Sequence, residues 1–100
     1  MVLRKWDIHT DLIGKICKLT SMGVEIEKGY EKHLGVGNSY MAERIYKYCY
    51  CGGWYEMSLM FIDEPPIHRD GVVLYCLEEI GKGVNGDWHW FSLEQLMICN

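Results

Sequence analysis

Arg44-Ile45-Tyr46-Lys47-Tyr48-Cys49-Tyr50-Cys51-Gly52-Gly53-Trp54-Tyr55-Glu56-Met57-Ser58-Leu59-Met60-Phe61-Ile62 is the stretch on which the fold turns. Tyr46, Tyr48 and Tyr50 alternate with Lys47, Cys49 and Cys51, and after the Gly52-Gly53 pair the alternation resumes through Trp54 to Phe61. Alternation marks a strand with two unlike faces, and a glycine pair between two such runs marks a tight turn. A two-residue turn sets Cys51 opposite Trp54, Tyr50 opposite Tyr55, Tyr48 opposite Met57 and Tyr46 opposite Leu59, which gathers the aromatic and apolar residues on one face. The same residues admit a competing helix from Ser39 to Tyr50, with Met41, Ile45 and Cys49 in line. The agreement of turn and pattern favours the hairpin.

Upstream, Thr10 or Asp7 is expected to cap a helix reaching Met22. Leu12, Ile13, Ile16, Cys17 and Leu19 fall at spacings of three and four, although Gly14 weakens the pattern. A second helix follows, with Ile26, Tyr30 and Leu34 at intervals of four and Gly35 as its stop. Gly35, Gly37, Asn38 and Ser39 then mark a loop before a short helical turn, Tyr40 to Glu43.

Downstream, Pro65 and Pro66 cannot donate to a ladder and end the strand. Asp70-Gly71 is a turn, Val72 to Leu77 a buried strand, and Trp88 to Phe91 the strand returning from a glycine-rich link tipped by Asn85-Gly86. Ser92 and Gln95 have capping-box spacing, so Leu93 to Cys99 is expected to form a terminal helical turn packing Leu93, Leu96 and Met97. The expected fold is α+β, with N-terminal helices packed on one face of an antiparallel sheet of about four strands, in a single globular domain over residues 1–100.

Composition narrows the function classes. With 49% hydrophobic and 24% charged residues the chain resembles ordinary globular proteins, which argues against disorder. The opening Met1 to Lys5 lacks the apolar core of a signal peptide, and the longest apolar runs, Leu59 to Ile62 and Val72 to Leu77, are too short to cross a bilayer. Five irregularly spaced cysteines suit reduced thiols, so a cytoplasmic location is expected. Residues 1–50 carry eight Lys and Arg against six acids, whereas residues 51–100 carry two, Arg69 and Lys82, against eight. The aromatic residues that could stack on single-stranded nucleic acid therefore lie mostly in an acidic half, which opposes such binding. The tyrosines Tyr46, Tyr48, Tyr50 and Tyr55 are expected in the core beneath the helices.

No motif identifies a reaction. Asp7-Ile8-His9-Thr10-Asp11-Leu12 resembles, over six residues, the metal-binding Asp-x-His opening of calcineurin-like metallophosphoesterases. The Gly-Asp and Gly-Asn-His elements that complete that site do not follow, and helix-start chemistry accounts for Asp7, Thr10 and Asp11 as well. Cys49, Cys51, His68 and Cys76 supply ligand types for zinc, but Cys-x-Cys is not the usual knuckle, so a metal- or ligand-binding domain is the alternative reading. Gly81 to Gly86 contains a lysine but opens no helix, which excludes a phosphate loop. Neither His9, His33, His68 nor His89 stands in a nucleophile signature, and no cofactor is expected.

The favoured expectation is a small protein-protein interaction module, of the accessory or inhibitory kind that mobile elements encode. Its partner is a protein with a basic surface or a second copy of the chain. Trp88 and Trp90 serve as anchors, with Glu78, Glu79 and Asp87 around them and His89 between them. His89 is either an ionisable stacking centre or a residue on the strand's solvent face.

Overall fold

A computed structural model describes residues 7–34, 39–50, 57–81 and 86–99. The chain is α+β, with two α-helices and an antiparallel sheet of six strands among the described residues. A 3-10 helix, Asp7–Leu12, leads into strand β1, Ile16–Leu19, and then helices α1, Ser21–Leu34, and α2, Ser39–Tyr50. Strands β2, Met57–Phe61, β3, Ile67–Arg69, β4, Val72–Gly81, and β5, Trp88–Phe91, follow. A 3-10 turn, Leu93–Gln95, and strand β6, Leu96–Ile98, complete the described chain.

The first half departs from the sequence expectation at two stretches. The expected first helix is a 3-10 helix and a strand, because Gly14 takes a left-handed φ of 85° and Cys17 and Leu19 are buried with the period of a strand. The expected hairpin arm at Arg44 to Tyr50 is helix α2, the competing reading. Ala42 and Ile45, three residues apart, are both buried, while the intervening Glu43 is exposed. The register of Tyr46 and Tyr48 against β2 goes with it, because β2 pairs with β1 (Cys17 with Leu59) and with β4 (Phe61 with Leu77). The Gly52-Gly53 turn lies outside the described residues.

The second half follows its local signals more closely. Asp70 at φ 50° and Gly71 at φ 81° form the two-residue turn between β3 and β4, both in the left-handed region that this hairpin type requires. β4 pairs with β5 (Leu77 with His89, Cys76 with Trp90). The Ser92–Gln95 capping box is present, but the helical turn it opens stops at Gln95. The chain then joins the sheet as β6 beside β1 (Lys18 with Met97), which leaves Leu93 and Met97 exposed instead of packed.

Across the sheet the order is β5, β4, β2, β1, β6. β3 continues on the β2 side of β4, since the chain leaving β2 remains bonded to β4 through the Ile62 N–H and the Cys76 carbonyl, 3.4 Å apart. β5 and β6 therefore hold opposite edges, yet only residues 92–95 separate them. That connection spans about 18 Å at full extension, less than the roughly 19 Å between edge strands of a flat sheet this wide. The sheet must coil.

Its inner face carries Cys17, Leu19, Leu59, Phe61, Leu77 and Phe91, which form one buried cluster with Val24 of α1 and Ala42 and Ile45 of α2. A second device ties α1 to the β5–β6 connection. The Thr20 hydroxyl caps α1 by accepting from the Gly23 N–H at 2.8 Å, and the buried Gln95 side chain donates to the Gly23 carbonyl at 2.9 Å. The Gln95 amide oxygen accepts from the Ser92 N–H at 2.9 Å, so both ends of this buried amide are used.

Candidate functional site

The β4–β5 hairpin brings all six expected partner-binding residues together, the Glu79 N–H bonding the Asp87 carbonyl at its start, and sorts them by face. Glu78 stands opposite Trp88 and Cys76 opposite Trp90 on the outer face, while His89 stands opposite Leu77 on the inner one. Trp88 is 56% exposed, Trp90 is half-buried beside the buried Cys76, and Asp87 is exposed. Glu78 is half-buried. A Cβ placed on Gly86 would lie 2.8 Å from its Oε1, so the bare backbone at that position gives the carboxylate its room beside Trp88. Among the described residues, neither Glu78 nor Asp87 is in an ion pair.

Glu79 and His89 are not on that surface. Both are buried on the inner face, where His89 Nε2 lies 2.6 Å from Glu79 Oε1 and Arg44 of α2 donates to the same oxygen at 2.6 Å. Burial, the largest single influence, pushes the Glu79 carboxyl up, but the hydrogen bonds from His89 and Arg44 outweigh it and hold it below its ordinary value. Glu79 is thus an ionised carboxylate that ties α2 to β4 and β5. His89 is neither a stacking centre nor a solvent-face residue, because the strand turns its indoles outward and its imidazole inward.

No local signal marks Arg44 as a partner of Glu79, since its position depends on α2 being a helix. Gln95 was expected only as a capping residue, and its bond to Gly23 depends on a contact 72 residues away in sequence.

Of the zinc ligand set, His68 and Cys76 are not brought together. His68 stands opposite Val73, whose side chain projects to the face opposite that of Cys76. Burial, reinforced by Glu64, pushes the Cys76 thiol up to about 11. Cys51 lies outside the described residues. Among the described residues no group of three or more His, Cys, Asp or Glu side chains could hold a metal ion. No helix among them is long and apolar enough to cross a membrane.

No protein-family model matches the chain, and neither the curated proteins nor the solved structures give a significant match.

Proposed function

We propose that the chain is a protein-protein interaction module of the cytoplasm that docks a basic protein surface on the outer face of its β4–β5 hairpin. The observation that carries this reading is Trp88, a large indole 56% exposed on an edge strand, with Trp90 on the same face. Tryptophan is the side chain whose burial contributes most at interfaces, and Glu78 and Asp87 supply the field that steers a basic partner toward it. A module that acts only by binding suits an accessory or inhibitory role.

The test is capture of partners by the full chain from its native cell extract, identification of the captured protein, and affinity measurement with the purified pair. Trp88→Ala is expected to weaken binding at least about tenfold while changing stability by less than about 1 kcal/mol. Tyr40→Ala, removing a ring 75% exposed on α2, should leave binding unchanged. Equal losses at both positions would refute the assignment.

Self-association has its own support at the other edge of the sheet, where Leu93, Met97 and Ile98 are exposed on and beside β6. Sedimentation equilibrium over a hundredfold range of concentration distinguishes it. A dimer dispersed by Ile98→Lys would place the self-contact there.

A further inference from the structure

We infer that the partner binds as an extended basic segment that adds to the edge of β5 away from β4 as a further antiparallel strand, an inference that rests on the surface proposed above. The Glu79 N–H donates to the Asp87 carbonyl at 2.8 Å, which makes Glu79 and Asp87 a directly bonded pair. Bonded and non-bonded pairs alternate along an antiparallel ladder. His89 with Leu77 is therefore the next bonded pair, and Trp88 and Trp90 are non-bonded toward β4. Their backbone N–H and C=O groups consequently point away from the sheet.

Among the described residues β5 pairs with β4 alone. Trp88 and Trp90 thus present two matched sets of features at one edge, backbone groups directed outward in the sheet plane and indoles on the outer face. An incoming strand whose residues stand opposite them satisfies the first set and covers the second.

Charge selects the occupant. A second copy pairing through β5 would add its own Glu78 and Asp87 to an edge that is already acidic, and that concentration of like charge is unfavourable. A segment with Lys or Arg at alternate positions instead lays its stems over Trp88 and Trp90 and carries its cations toward Glu78. The intervening residues turn to the inner face beside His89 and Phe91, which are buried, and there small apolar side chains fit. Antiparallel direction follows the other pairings of this sheet.

The probe is an acetylated, amidated octapeptide alternating Lys and Val, titrated into the full chain. Amide exchange at Trp88 and Trp90 is read by NMR. The peptide is expected to bind and slow exchange at both amides, and its Glu-Val counterpart to bind at least about tenfold more weakly. Because the residues opposite Trp88 and Trp90 turn their own N–H groups toward β5, N-methylation of the lysine amides should abolish binding and N-methylation of the valine amides should not. Equal affinity of the two methylated peptides, unchanged exchange at Trp88 and Trp90, or no binding of the parent peptide would overturn strand addition. In each of those cases the outer-face assignment survives if Trp88→Ala still weakens the captured partner. If Trp88→Ala leaves that partner's affinity intact, the outer-face assignment fails as well.

Discussion

Gly23→Ala is expected to destabilise the protein by about 3 kcal/mol or more, although alanine is the better helix former by about 1 kcal/mol. A Cβ at Gly23 would lie 2.2 Å from the Gln95 carbonyl oxygen and 2.9 Å from its carbon, and backbone cannot swing aside as a side-chain end can. Moving Gln95 breaks what it holds, namely the 3.1 Å bond from the Thr20 N–H and the 2.9 Å bond from its own amide to Gly23. Gly29, also in α1, has nothing within 4 Å of its would-be Cβ. Gly29→Ala should therefore stabilise by about 0.5–1 kcal/mol through helix propensity alone. Urea melts of the two variants check the pair. Shifts in the same direction would mean that α1 does not rest on Gln95.

The second large effect concerns the buried carboxylate. Arg44→Met removes one of the two donors on Glu79 Oε1 and is expected to cost about 2–4 kcal/mol, below the full cost of breaking a buried pair because Arg44 is itself partly exposed. The pH dependence follows from the lowered Glu79 carboxyl. A group more acidic in the folded state stabilises the fold fully above its unfolded pKa of about 4.3 and loses that contribution as pH falls through the folded value. Wild-type stability should therefore decline from about pH 5 downward, and Arg44→Met should flatten that decline while lowering stability at neutral pH. Denaturant melts from pH 7 to pH 3 measure both. An acid limb of unchanged steepness in Arg44→Met would show that the guanidinium does not hold the carboxyl down.

What was legible in the sequence was local. Val72 to Leu77, the Asp70-Gly71 turn and Trp88 to Phe91 declare themselves through β-branched runs and turn residues, and their pairing joins neighbours along the chain. The Ser92–Gln95 box needs three residues of context. What failed depended on distant partners. Tyr46, Tyr48 and Tyr50 suit a strand by propensity, but Ala42 and Ile45 meet the sheet at helical spacing, and burial overrode the alternation. β1 and β6 are four and three residues long, and β1 is held as a strand between β2 and β6 while β6 is held by β1.

The candidate site divides the same way. That Trp88 and His89 face opposite sides follows from the period of a strand, but which side the helices cover does not, and Glu79 and His89 went to the covered one. The acidic pair Glu78 and Glu79 thereby splits into two roles. Glu78 belongs to the surface and should influence association rate, whereas Glu79 belongs to the core.

On this reading β5 alternates a binding face with a core face, one residue at a time. An alanine scan of Trp88, His89, Trp90 and Phe91, with stability and affinity for the captured partner measured on each variant, tests it most directly. Phe91→Ala is expected to cost about 3–5 kcal/mol and His89→Ala about 2–3 kcal/mol, with affinity retained wherever the chain remains folded. Trp88→Ala should reverse that profile, losing affinity with stability nearly intact, and Trp90→Ala should lose some of each because its ring is half-buried. Affinity that falls only in proportion to stability at all four positions would contradict the account.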